Sequence, residues 1–193
     1  MNPGSLFWFR RDLRLDDNAG LSQALQSGAP VHCVFVFDEQ ILQGLSRDNR
    51  RVGFMHQSLV ALAEGLRAMG GELLCLSGEP AKEIPALAQR LGVRTVFTNE
   101  DYEPAARMRD RAVEKNLTSV GIRWHAAKDQ VVFARDDVLT KEGRPYTVFT
   151  PYSRAWRAKL TDQDLAPWPV AELARQFATP TGAHPLPALA VAA

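Results

Sequence analysis

Short apolar runs alternate with segments of helical periodicity along the first two thirds of the chain. Residues 6–9, 31–37, 72–76, 95–98 and 122–124 are apolar or β-branched and bounded by Gly, Pro or polar residues, which predicts strands. Their apolar positions are nearly continuous rather than alternating, as in a parallel sheet buried on both faces. Between them, residues 50–69 place Leu59, Leu62, Leu66 and Met69 on one helical stripe, ended by Gly70 and Gly71. A second helix follows Pro80, with Ile84, Leu87 and Leu91 inward and Gly92 as its stop; Pro85 predicts a late start or a bend. A third covers residues 104–116, rich in Arg and Asp and solvated on one side. Strands separated by helices require right-handed crossovers. The expected fold is α/β: a Rossmann-like, doubly wound, five-stranded parallel sheet with helices on both faces.

After Trp124 the alternation stops. Residues 131–146 read as irregular short strands around a turn at Gly143, and residues 150–160 as a short helix with Tyr152, Trp156 and Leu160 spaced at four. From Ala166 onward Pro167, Pro169, Pro180, Pro185 and Pro187 give linker composition with little material for a core. The expected organisation is an α/β domain over residues 1–130, an irregular exit segment over 131–165, and a poorly ordered Pro/Ala-rich connector over 166–193.

Polarity changes most abruptly within residues 6–18, where the first apolar run turns into Arg10, Arg11 and Arg14 facing Asp12, Asp16 and Asp17. This charged run occupies the C-terminal edge of the first strand, ahead of a helix capped by Asp17 or Asn18. In open α/β sheets that edge is where ligands bind. The alternative is a surface loop of ordinary ion pairs, each contributing roughly 0–1 kcal/mol. The loop is expected to pack its charges partly inward, with Asp12 and Arg14 as buried partners.

Composition narrows the chemistry. A net charge of +1 gives no electrostatic case for a nucleic-acid surface. No apolar run approaches the roughly 20 residues of a membrane helix, and no basic-then-apolar leader opens the chain, so a cytoplasmic location is expected; the isolated chain is expected to be a monomer. Cys33 and Cys75 lie inside apolar runs and read as small buried hydrophobes in a reducing compartment. No phosphate-cradling Gly loop follows the first strand, no nucleophile elbow is present, and His32, His56, His125 and His184 are too dispersed for a metal site. His125 reads as structural, and Trp8 and Trp124 as core or pocket-wall aromatics. No catalytic residue is visible.

Four blocks in order nevertheless resemble one family. Phe7-Trp8-Phe9-Arg10-Arg11-Asp12-Leu13-Arg14-Leu15-Asp16-Asp17-Asn18 closely resembles the opening strand and loop of DNA photolyases and cryptochromes. Val36-Phe37-Asp38 follows, then Asn99-Glu100-Asp101-Tyr102-Glu103-Pro104 with Arg107, Arg109 and Asp110, then Tyr146-Thr147-Val148-Phe149-Thr150-Pro151-Tyr152 before Trp156. The resemblance implies an N-terminal α/β domain that precedes a helical domain holding FAD and binding damaged DNA, where light-driven electron transfer splits a flipped-out pyrimidine dimer. In that reading the chain is the antenna-pigment domain of a deoxyribodipyrimidine photolyase, a carbon–carbon lyase. Its partner is its own FAD-binding helical domain, DNA is reached only through that domain, and this chain alone repairs nothing. Folate-binding members carry an Asn-Glu pair where this chain has Ala105 and Ala106. The resemblance therefore favours 8-hydroxy-5-deazaflavin or FMN over methenyltetrahydrofolate. The residues implied to hold the pigment are Phe35, Phe37, Asp38, Arg51, Asp101 and Glu103, with Arg11 beside them. A cryptochrome photosensory domain and an unrelated α/β nucleotide-binding protein are the alternatives, and the missing Gly loop weighs against the second.

Overall fold

The structure, a computed structural model, describes residues 3–45 and 49–187. In chain order its elements are β1 (Ser5–Phe9), α1 (Ala19–Gln26), β2 (Val31–Asp38), α2 (Glu39–Leu42), α3 (Arg50–Ala68), β3 (Leu73–Gly78), α4 (Pro80–Arg90), β4 (Thr95–Asn99), α5 (Pro104–Ser119), β5 (Arg123–Ala127), α6 (Phe149–Lys159) and α7 (Asp162–Leu165). The five strands form one parallel sheet in the order β3-β2-β1-β4-β5. The winding runs outward from β1 to β3, returns to the centre, and proceeds outward again through β4 and β5. The switch point therefore lies between β1 and β4. The expected doubly wound Rossmann-like fold is present.

The period-two alternation of each strand decides what covers each face. Phe7, Phe9, Cys33, Phe35 and Phe37 point to the side closed by α1 and by the Leu59, Leu62 and Leu66 stripe of α3. Leu6, Trp8, Val34 and Val36 point to the opposite side, closed by Ile84 and Leu87 of α4 and by Val113 and Leu117 of α5. Cys33 and Cys75 are buried and unpaired. Burial pushes the Cys75 thiol up to about 12, which leaves it unreactive. No helix among the described residues is long and apolar enough to cross a membrane.

Pro85 neither delays nor breaks α4, which begins at Pro80 and runs through it. A proline removes the amide that would bond the carbonyl four residues earlier, here that of Ala81. Asn116 of α5 supplies the missing donor, its Nδ2 lying 2.8 Å from the Ala81 oxygen. One side chain thus repairs the helix and ties α4 to α5.

One expectation for the later chain is corrected. Residues 131–146 contain no strand: they form a 3₁₀ turn at Arg135–Asp137 and a turn closed by the Gly143 N–H on the Thr140 carbonyl. β5 is the sheet edge, and no partner ladder extends past Ala127. After Ala166 the described residues, which end at Pro187, make contacts with the sheet. Val170, Phe177 and Ala178 are buried, the Ala178 N–H donates to the Val31 carbonyl at 2.9 Å, and the Cys75 N–H donates to the His184 carbonyl at 2.8 Å. The prolines there are spaced so that a few apolar side chains reach the α1–α3 core, which average composition does not reveal.

Asn116→Ala should cost about 1 kcal/mol in chemical denaturation by stranding the Ala81 carbonyl. In a Pro85→Ala background the restored amide should make the same change nearly neutral. Equal costs in both backgrounds would refute the repair.

Candidate functional site

At the switch point the loops after β1 and β4 diverge, and one side chain holds them together. The Asn99 Oδ1 accepts from the Gly20 N–H at 2.8 Å. Its Nδ2 donates to Asn18 Oδ1 at 2.9 Å and also to the Asp12 carboxylate. Asn18 is the cap of α1, its Oδ1 accepting from the Leu21 N–H, while Asp17 adopts φ 50° and accepts from the Trp168 N–H. The approach is so close that a Cβ at Gly20 would lie 2.5 Å from the Asn99 Oδ1.

The expected Asp12–Arg14 partnership is corrected. Arg14 lies 4.0 Å from Asp12 but donates to both carboxylate oxygens of Asp129 at 2.9 Å. Asp12 is held by Asn99 instead. Burial, only partly offset by that amide, raises its pKa above the ordinary aspartate range.

Beside this network, on the carboxyl edge, opens a cleft of about 700 Å³, within the range of small-molecule sites. One wall is apolar, with Phe35 and Phe37 in edge-to-face contact at 5.0 Å between ring centroids and Met55 of α3 beside them. Asp38, Arg11, Asp101 and Glu103 also line the cleft, so six of the seven sequence-derived candidates meet there. Arg51 does not; it stands exposed in the first turn of α3 and is absent from the lining.

The cleft charges are mostly matched. Arg11 pairs with Asp101 at 3.4 Å and Glu103 at 2.9 Å, and Asp101 also accepts from the Glu103 N–H at 3.1 Å. Asp101 therefore has fewer free lone pairs for a ligand than its position alone implies. Asp38 caps α2 through the Gln40 N–H. Arg10, missed as a cleft residue, donates to Asp110 and to the Asn99 carbonyl and lies 5.1 Å from the Trp8 ring centre. Arg109 was also missed. It is on the cleft face of α5 with Ala105, Ala106 and Ala112, and that i, i+1, i+4, i+7 pattern of small residues around one arginine was the available signal.

A second opening of about 390 Å³ lies at the amino edge, lined in part by Gly4, Arg94, Arg123 and His125. His125 already hydrogen-bonds Gln23 at 2.6 Å and packs on Phe97, in keeping with a structural role. No cluster of potential metal ligands occurs among the described residues.

The DNA photolyase family model matches residues 5–172. A deoxyribodipyrimidine photo-lyase of Synechococcus sp. (strain ATCC 27144) is 40% identical over 154 residues, covering 80% of this chain and 32% of its own. The solved class III photolyase of Agrobacterium tumefaciens superposes with a TM-score of 0.81 at 28% identity, covering 98% of this chain and 38% of that one. An archaeal photolyase of Sulfolobus tokodaii, described as holding two FAD molecules with the implication of a novel light-harvesting cofactor, gives 0.67 at 27% identity, covering 94% and 44%. The chain spans 64% of a curated 31.6 kDa relative from Synechococcus sp. (strain PCC 6716) and about a third of the curated photolyase.

A carboxyl whose pKa is raised by folding holds its proton more tightly in the native state, so stability declines as pH rises through that range. Asp12→Asn should remove this component. Thermal unfolding from pH 3 to 7 should show wild type losing ground to the variant as pH rises; a constant difference would mean that Asp12 titrates normally.

Proposed function

From the premise that the chain belongs to the DNA photolyase family, we propose that its carboxyl-edge cleft holds a planar antenna pigment of the flavin class. The unrelated nucleotide-binding reading falls with that premise. The carrying observation is the cleft itself, an aromatic wall from Phe35 and Phe37 facing a polar rim, at the switch point where α/β sheets bind ligands.

The residues fit such a group. Phe35, Phe37 and Met55 would hold the ring of such a pigment, offering it apolar burial. Asp38 and Arg109 supply an acceptor and a donor at the inner end, while the closed Arg11–Asp101–Glu103 set forms the rim. Arg109 lines the cleft where Arg51 does not. Ala105 and Ala106 offer neither amide nor carboxylate to a pterin, which favours 8-hydroxy-5-deazaflavin or FMN over methenyltetrahydrofolate. The two-FAD description of the archaeal relative agrees in kind with a flavin-type second pigment.

In this reading a pigment bound there would supply light absorption for an FAD held by the helical domain that accompanies this domain in a photolyase. That domain binds DNA and repairs the pyrimidine dimer. A cryptochrome role shares every feature of the cleft, and photolyase is preferred on the family match and the solved neighbours.

Fluorescence titration of the 193-residue chain should give saturable binding of 8-hydroxy-5-deazaflavin or FMN, with methenyl-folate weaker. Ala105→Trp, which fills the exposed mouth of the cleft, should weaken binding about tenfold or more without changing the melting temperature. Undiminished binding in that variant would put the pigment elsewhere.

A further inference from the structure

Arg109 is the cleft cation whose donors are least used. Its side chain is 20% exposed, and its Nε is buried without a hydrogen-bond partner among the described residues. Its nearest carboxylates are Asp110 at 3.8 Å and Asp38 at 4.0 Å, both beyond hydrogen-bond length. Each is also engaged elsewhere, Asp110 by Arg10 and Asp38 by the Gln40 N–H. The other charges around the cleft are satisfied: Arg11 by Asp101 and Glu103, Arg10 by Asp110 and the Asn99 carbonyl, Glu79 by Lys82 at 2.7 Å.

A guanidinium in this condition is costly. It is largely removed from water, its Nε donor is unmade, and a second guanidinium, Arg10, stands against the same Trp8 ring. Burial and the repulsion from Arg10 both oppose its charge. An anion entering the cleft would meet that fork and relieve both penalties. The Ala105 and Ala106 positions in the first turn of α5, which has no side-chain cap, add the positive end of a helix on the same side.

We propose that Arg109 is the anion anchor of the cleft, selecting a planar pigment that carries a negative charge over a neutral one of the same shape. The inference rests on the cleft being the pigment site and names the chemistry that the site selects. The anion has two possible sources, the phosphate of FMN or the ionised ring hydroxyl of 8-hydroxy-5-deazaflavin, while riboflavin carries neither. Arg10 cannot serve in its place, since its donors are already committed to Asp110 and the Asn99 carbonyl.

The test is a fluorescence titration of the full chain with FMN, 8-hydroxy-5-deazaflavin and riboflavin, in wild type, Arg109→Gln and Arg109→Lys. In wild type at least one anionic pigment should bind about tenfold or more tightly than riboflavin. Arg109→Gln should bring that pigment down to the riboflavin level and leave riboflavin within about twofold; Arg109→Lys, which keeps charge but not the fork, should recover part of the difference. The pigment whose advantage disappears identifies the anion as phosphate or ring oxyanion. Equal loss for riboflavin, no recovery by lysine, or no loss at all overturns the anchor. If Ala105→Trp abolishes binding while Arg109→Gln leaves it unchanged, only the anchor fails. If wild type binds none of the three, or binds them despite Ala105→Trp, the cleft reading fails and the anchor with it.

Discussion

The carboxyl edge of this sheet depends on a single buried amide. Asn99 ends β4, and its side chain reaches across the switch point to the α1 cap at Asn18, the Gly20 N–H and the Asp12 carboxylate. Its backbone carbonyl takes a donor from Arg10. Four groups from the β1 loop and the start of α1 are thus tied to one residue on another strand. The geometry tolerates little change: Gly20 has no room for a Cβ, and the Asn99 side chain is buried where an unmade hydrogen bond would cost about 1–3 kcal/mol. With that tie in place, Arg10 and Arg11 are delivered to the cleft as fixed groups.

The same tie carries an electrostatic cost. Asp12 is drawn into the network with an amide as its closest partner, while the nearby Arg14 is turned to Asp129. A buried carboxylate held this way is worse off than one in water, which fits a position kept for geometry rather than stability. Arg109 shows the same pattern on the other side of the cleft. Functional sites are where such unfavourable groups concentrate, because a ligand can complete what the protein leaves open.

The sheet was legible because its strands are continuous apolar runs and its helices carry stripes, both properties of local sequence. Their ends were less so: β3 extends through Gly78 and β5 through Ala127, set by ladder partners on neighbouring strands rather than by their own residues. The late start expected from Pro85 is absent, and the amide that compensates for it comes from Asn116, on a different helix. The choice between Asp17 and Asn18 as cap was decided by Asn99, eighty-one residues further along. In the cleft, residues at or just beyond strand ends, Asp38 and Asp101 among them, could be placed because strand ends share one edge. Arg51 and Arg109 could not, since which face of a helix meets the cleft depends on its rotation against the sheet. After Ala166 only Val170, Phe177 and Ala178 are buried, too few for average composition to reveal their contact with the sheet.

In the proposed function, pigment binds at the carboxyl edge and nowhere else on the sheet. Amide chemical-shift mapping of the isotope-labelled chain during titration with 8-hydroxy-5-deazaflavin, and separately FMN, tests it directly. Shifts should concentrate at residues 10–11, 37–41 and 101–109, with Gly4, Arg94, Arg123 and His125 at the amino edge unchanged. Shifts gathered at the amino edge, or none with either pigment, would contradict it.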